Sequence, residues 1–216
     1  MDGIGFIGTG HVGAQIARAV VAVGYDVVLS NARGPYSLEP LVGEFGGRAS
    51  AATVDEASSA AGLVVVAIPI GAFASVPVAP LAGKTVIVTS NYNRDREGVV
   101  PALDNGQTTV PGLLQAHLPG AHVVRAFSHI DAAEITTDGR SAGTPHRRAL
   151  AIAGDDPAAK KTVAAIYDEV GFDTLDLGVL DEAWRVDRGQ PAFIAHLDLP
   201  ELIAYVARAD RSRSGR

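Results

Sequence analysis

The sequence predicts an α/β fold: a Rossmann-type, doubly wound and mostly parallel sheet with a small C-terminal helical lobe. Three observations carry that expectation. An apolar strand over 3–7 runs into Gly8-x-Gly10-x-x-Gly13, and an alanine-rich amphipathic helix follows at once. Strand-like and helix-like segments then alternate as far as the strand at 172–177, the pattern of βαβ units in a parallel sheet. Finally, Gly62-Leu63-Val64-Val65-Val66-Ala67-Ile68-Pro69 is a continuous apolar run, as expected of a central strand covered on both faces.

Taken in order, the glycine turn opens a helix over 11–23, and Tyr25–Ser30 reads as the second strand. Ser37 to Phe45 reads as a short helix stopped by Gly46-Gly47, and a brief strand near Arg48–Ser50 follows. Thr53-Val54-Asp55-Glu56 is a capping sequence for a helix through Ala61, because the Thr hydroxyl and the Glu carboxylate can satisfy each other's orphan amides. After the 62–69 strand comes another over Lys84–Ser90, ending in Asn91-Tyr92-Asn93. Helix 108–118, strand 122–127, a polar loop over 136–147 and strand 149–153 continue the alternation. Asp155-Asp156-Pro157 starts a helix with acids and proline in its first turn, and Gly171 ends it, as terminal preferences dictate. The domain reading is 1–188 for the nucleotide-binding unit with its acceptor cleft and 189–216 for a short helical segment and tail. Helix-like Leu199–Ala207 packs either within the chain or on a second copy, so a homodimer stays open; Ser212–Arg216 reads as frayed.

The glycines point to a bound dinucleotide, with a purely structural turn as the alternative. Gly8 makes the tight turn, Gly10 lets the backbone approach a pyrophosphate, and Gly13 lets the helix pack on the strand. The helix N-terminus offers free N–H groups and partial positive charge. An NAD site would carry Asp or Glu about twenty residues on, hydrogen-bonded to the ribose. Here the residue 22 places after Gly8 is Ser30, followed by Asn31 and Arg33. Arg with Ser and Asn donors suits a 2′-phosphate, which a carboxylate would repel. The reading is NADP(H), with a solvated turn as the alternative role for Arg33.

Composition narrows the function. The chain has 216 residues, 47% hydrophobic and 19% charged, with a formal net charge of −6. That length builds a sizeable core, and the acidic balance argues against nucleic acid or an anionic membrane as partner. Without cysteine, thiolate catalysis and cysteine-ligated metals are excluded. The histidines are scattered, so no metal site is assigned. No run of about eighteen apolar residues occurs, and the first strand starts at once, which leads to a cytoplasmic expectation.

Four places in the sequence resemble the NADPH:coenzyme F-420 (8-hydroxy-5-deazaflavin) oxidoreductases, and among them the short bacterial F-420-dependent-like NADP oxidoreductases. These are Gly-Phe-Ile-Gly-Thr-Gly-His-Val-Gly at 5–13, Ser-Asn-Ala-Arg-Gly-Pro at 30–35, Val-Val-Ala-Ile-Pro at 65–69 and Ala-Ile-Ala-Gly-Asp-Asp at 151–156. The resemblance implies hydride exchange between NADP(H) and a deazaflavin held in a cleft. Carried over, Thr9, Gly10, His11 and Val12 line the pyrophosphate, and Ser30, Asn31 and Arg33 take the 2′-phosphate. Ile68 and Pro69 lie beside the adenosine or nicotinamide half of the cofactor. Asn91 and Tyr92 end the next strand, where open α/β sheets place ligands. One departure stands out: where the better-known deazaflavin enzymes resemble Ala-Leu-His-Thr-Ile-Pro, this chain reads Ala126-Phe127-Ser128-His129-Ile130-Asp131. The shifted histidine and the carboxylate leave the acceptor open.

Hydride transfer between stacked rings needs positioning and exclusion of water rather than a nucleophile or metal. The positioning candidates are Ile68 and Pro69 on one side and Phe127, Ser128, His129 and Ile130 on the other. Asn91 is a candidate partner for the carboxamide or the acceptor. His129 either donates to the reduced acceptor or bonds a backbone carbonyl in the cleft wall. Arg140, Arg147 and Arg148 either meet an anionic tail of the acceptor or belong to a solvated loop. The partner is a small-molecule redox acceptor, with flavin, quinone, ferric chelate or small carbonyl as alternatives to the deazaflavin. A non-catalytic NADP(H)-binding redox sensor is the reading from another class.

Overall fold

The computed structural model describes residues 3–213, and its central parallel strands fall on the apolar runs of the sequence. They are β1 (Ile4–Ile7), β2 (Val27–Ser30), β3 (Ala49–Ala51), β4 (Leu63–Val66), β5 (Thr85–Val88), β6 (His122–Arg125), β7 (Ala149–Gly154) and β8 (Asp173–Asp176). One sheet joins them in the order β3-β2-β1-β4-β5-β6-β7-β8. The first six are parallel, with β1 registered against β2 (Ile4 to Val27) and against β4 (Ile4 to Leu63). Chain order reverses between β1 and β4, and such a switch point opens a crevice at the carboxyl ends of the strands.

The helices cover both faces: α1 (His11–Ala22), α2 (Glu39–Phe45), α3 (Val54–Ser59), α4 (Arg94–Glu97), α5 (Pro101–Asp104), α6 (Val110–His117), α7 (Glu134–Thr137), α8 (Pro157–Val170) and α9 (Leu199–Val206). Phe6, Val65, Ile87 and Val124 point to one face and pack with Ile16 and Val20 of α1 and Val163 and Tyr167 of α8. Ile7, Val64, Val66, Val86 and Val88 point to the other and pack with Leu114 of α6, Phe73 and Leu180. Strand alternation thus divides one apolar run between two cores.

Several expected boundaries shift. Thr53 and Glu56 do form a capping box, but α3 stops at Ser59 rather than Ala61. The helix expected from Ser37 begins as a 3-10 turn over Pro35–Leu38 before α2. Thr136 and Thr137, assigned to a loop by their composition, end α7. Residues 189–213 lie on β7 and β8, where Ala192, Leu197 and Leu202 share a third cluster with Ala149 and Ala151. Asp198 caps α9 reciprocally with Glu201. Just before the stretch read as frayed, Arg211 pairs with Asp181 at 2.7 Å; Ser214, Gly215 and Arg216 lie outside the described residues. Among the described residues no helix is long and apolar enough to cross a membrane.

The pairing of β6 with β7 is antiparallel and lasts only for Val124 with Gly154 and Arg125 with Ala153. Beyond it the strands splay, and two side chains fill the wedge. His129 Nε2 accepts the Ala151 N–H at 2.8 Å, and the Tyr167 hydroxyl accepts the Phe127 N–H at 2.6 Å while reaching the Ala151 carbonyl at 3.4 Å. The buried peptide groups of a split ladder are thereby satisfied.

Candidate cofactor site at the carboxyl edge of the sheet

The three glycines of the first turn divide their work as steric arithmetic requires. Gly8 has φ +95°, and a Cβ there would stand 2.5 Å from the Ala67 carbonyl oxygen. A Cβ on Gly13 would stand 2.1 Å from the Gly8 carbonyl oxygen, so only glycine lets α1 seat on the turn. At Gly10 a Cβ would meet nothing within 4 Å: the backbone there borders open space, on the side a pyrophosphate would approach. Helix α1 starts at that point with no side-chain cap and no acid in its first turn, so its first N–H groups are left for an anion. His11 is exposed, Thr9 and Val12 are half-buried, and the Thr9 hydroxyl leans on the Ser30 carbonyl at 3.5 Å.

The end of β2 corrects part of the expected phosphate set. Ser30 is fully buried and donates to the Phe6 carbonyl at 2.6 Å, so its hydroxyl is spent on the sheet. Asn31 builds the loop: its amide oxygen accepts from the Arg33 N–H at 2.8 Å and its amide nitrogen donates to Ser37 at 2.9 Å. The Arg33 side chain is exposed and makes no hydrogen bond or ion pair with the described residues. Of the three, only Arg33 presents a free charged group to a ligand.

The far side of the crevice is also rearranged. Phe127 and Ile130 do not line an open slot with Ile68 and Pro69. They are buried in the core with α8, where Phe127 meets the Tyr167 ring edge-on at 4.7 Å. Ile68 is half-buried and Pro69 exposed, at the end of β4. His129 is buried at 1% exposure. Its Nε2 takes the Ala151 amide proton, and the Ala192 backbone offers the ring a bond of the carbonyl kind that was the other expectation. Burial holds its pKa down to about 3, against some opposing support from the Ala192 backbone. A neutral, occupied imidazole of this kind is a strut rather than a proton donor to a ligand.

Sequence reasoning missed Arg125, the guanidinium that ties this wall together. It is 1% exposed at the end of β6 and meets Asp187 at 2.7 Å. Its Nε donates to the Ser128 hydroxyl at 2.8 Å and its Nη2 to the Asn91 amide oxygen at 2.7 Å. Asn91 in turn donates to the Ser128 carbonyl at 2.5 Å. Both ends of the Asn91 amide are therefore engaged by the protein, against the expectation that it faces a ligand. Burial pushes the Asp187 carboxyl up from its ordinary value, and the Arg125 charge opposes that shift. The available signal was a lone arginine inside the apolar strand His122–Phe127. Beside this network a cavity of about 550 Å³ opens between Asn93, Thr109, Trp184 and Asp187.

Two of the three arginines of the 138–148 loop, Arg147 and Arg148, face inward. Arg147 is buried against Asp168 (2.7 Å) and Asp173 (2.9 Å), and Arg148 against Glu134 (2.8 Å) and Asp138 (2.6 Å). Neither is free for an anionic tail; Arg140 is exposed and turned onto the carbonyls of Thr137 and Gly139. Glu134, Asp138 and His196 cluster as metal ligands do, but the Arg148 guanidinium already supplies their cation.

The chain is similar to several known proteins. Residues 3–92 match the family described as NADP oxidoreductase coenzyme F420-dependent. The metalloreductase STEAP3 of Rattus norvegicus is 27% identical over 203 residues, 93% of this chain but only 39% of that protein. The chain thus spans about two-fifths of that relative's length. Among solved structures, a hypothetical protein from Sinorhizobium meliloti superposes with a TM-score of 0.79 at 27% identity, covering 92% of this chain and 96% of that one. A protein of Arthrobacter sp., described as a candidate F420-dependent NADP reductase, superposes at 0.70 with 26% identity, covering 85% and 87%.

Proposed function

We propose that this chain, whose residues 3–92 match the NADP oxidoreductase coenzyme F420-dependent family, binds NADP(H) at the carboxyl edge of its sheet and exchanges hydride with a deazaflavin, coenzyme F420. One observation carries the cofactor: the open backbone at Gly10, beneath an uncapped helix, shares an edge with the unpaired Arg33 guanidinium. Bound NADPH supplies a hydride from its nicotinamide C4, which C5 of the deazaflavin takes up while solvent provides the accompanying proton. The protein's part is placement. The α1 amides hold the pyrophosphate, and Arg33 forms charge-assisted hydrogen bonds to the 2′-phosphate. Ile68 and Pro69 give the ring an apolar floor. Asn91, Arg125, Ser128 and Asp187 fix the opposite wall so that the gap between the two rings keeps its width.

The acceptor rests on family resemblance, and a second reading has its own support. Asp131 stands exposed where the better-known deazaflavin enzymes have proline, and the rat relative is a metalloreductase. A carboxylate at the mouth suits a cationic or metal-bearing acceptor better than an anionic deazaflavin. Anaerobic mixing with NADPH and oxidised coenzyme F420, followed by deazaflavin absorbance, separates the two. Our reading expects NADPH-dependent bleaching that is poor with NADH. Firm NADPH binding with no bleaching, and reduction of a ferric chelate instead, would replace it with the second reading.

A further inference from the structure

The cavity of about 550 Å³ beside Arg125 is of a size that small molecules occupy, and its wall holds a donor with nothing to bond. Trp184, the single tryptophan of the chain, lines it and is 9% exposed. Its indole N–H is buried with no hydrogen-bond partner among the described residues, a costly arrangement that native proteins rarely keep without a use. The Arg185 and Arg211 guanidinium groups lie over the ring, 4.7 and 5.7 Å from its centre. Three residues on, Asp187 also lines the cavity, with 12% of its side chain exposed. The Asp187 N–H donates to the Trp184 carbonyl at 3.0 Å and closes the 3-10 turn Leu180–Val186. Residues three apart in such a turn lie one over the other, so a donor and a carboxylate share one wall.

Charge and geometry say which ligand. Arg125 is taken by Asp187 at 2.7 Å, Arg211 by Asp181 at 2.7 Å, and Arg94 lies 4.0 Å from Asp104. Asp95 adds a further carboxylate to the lining. Among the described residues no cation of this cavity is left over, so a phosphate or carboxylate finds no counter-charge in it. The Tyr92 and Thr109 hydroxyls are spent on the Gly98 and Leu180 carbonyls, at 2.8 and 3.1 Å. What suits the remaining pair is a neutral group that accepts from the indole and donates to the carboxylate: the edge of an amide or imide, where C=O stands next to N–H. The cavity also belongs to the carboxyl edge of the sheet. Tyr92 lines it two residues after Ser90, whose hydroxyl donates to the Ile68 carbonyl at 2.7 Å.

We propose that Trp184 and Asp187 form a recognition site for a neutral amide or imide edge, the indole N–H donating to its carbonyl and the Asp187 carboxylate accepting its N–H. Both molecules of the proposed reaction carry such an edge: the carboxamide of the nicotinamide and the imide ring of a deazaflavin. The inference rests on that reading for the identity of its ligands.

One tryptophan gives one indole N–H signal in a nitrogen-15 correlation spectrum, which makes the test direct. The protein is titrated with NADP+, and its NADP+ complex then with riboflavin, a neutral imide probe. An indole signal that moves with NADP+ assigns the site to the carboxamide; one that moves only with riboflavin assigns it to the acceptor. For the probe that moves it, the analogue without the N–H (3-acetylpyridine adenine dinucleotide phosphate or 3-methylriboflavin) should bind about tenfold more weakly. Trp184→Phe, which keeps an aromatic ring between the arginines, should weaken the parent probe by a similar factor. An indole signal that moves with neither probe, or an analogue that binds as well as its parent, overturns the inference. The Gly10 and His11 amide signals keep the two ideas apart. If they respond to NADP+ and the indole responds to neither probe, the cofactor reading stands without the inference. If they do not respond, the cofactor reading falls, and riboflavin added to the protein alone decides the site.

Discussion

His129 shows how a single side chain can look catalytic in sequence and be structural in place. Its ring closes the wedge between β6 and β7 by accepting the Ala151 amide, and burial holds its pKa at about 3 against an ordinary 6.5. The unfolded chain therefore takes up a proton near pH 6.5 that the folded chain refuses until about pH 3. The stability from this residue is complete above pH 6.5 and is lost as pH falls toward 3, at up to about 1.4 kcal/mol per pH unit. Urea titrations of the wild type and His129→Gln at pH 7 and pH 5 should show the gap between them shrinking at the lower pH; a constant gap would mean the imidazole titrates normally. The candidate site was half legible at this scale. The glycines and Arg33 could be read because backbone clearance and an exposed charge are properties of residue type. Ser30, Asn31 and Asn91 could not, because whether a polar side chain serves a ligand or the chain itself depends on which carbonyl folding brings beside it.

At the scale of elements, the parallel half of the sheet was readable from apolar runs and capping sequences, as the match of β4 and α3 to their signals shows. The reversal at β7 was not. A strand's direction depends on the path of the preceding connection, here α7 and the loop to Arg148, in which the buried Arg147 pairs with Asp168 and Asp173 beyond β7. The reversal leaves a splayed ladder that Tyr167 must patch, with its hydroxyl 2.6 Å from the Phe127 nitrogen. Tyr167→Phe keeps the ring packing and removes the hydroxyl, which leaves the buried Phe127 N–H unsatisfied and gives up the longer contact to the Ala151 carbonyl. The expected cost is about 1–3 kcal/mol by chemical denaturation. A change under about 0.5 kcal/mol would mean that another group satisfies Phe127. The same substitution should loosen the 127–130 wall, seen as faster amide exchange at Ser128 and His129.

Over the whole molecule, the order reversal between β1 and β4 turns a sequence motif into a site, since it places the glycine turn, the β2 loop and the ends of β4 and β5 on one edge. An acidic chain with formal net charge −6 has no general attraction for a polyanion, so affinity for a dinucleotide must come from local groups: the first amides of α1 and the unpaired Arg33. Together these two features suit the 2′-phosphorylated dinucleotide proposed above. That proposal is tested most directly by equilibrium titration of the protein and of Arg33→Ala with NADPH and NADH in parallel. The wild type should bind NADPH more tightly than NADH, and the variant should lose about ten- to a hundredfold for NADPH, the worth of charged hydrogen bonds. NADH affinity should hardly change. Equal losses for both nucleotides, or a wild type that prefers NADH, would contradict it.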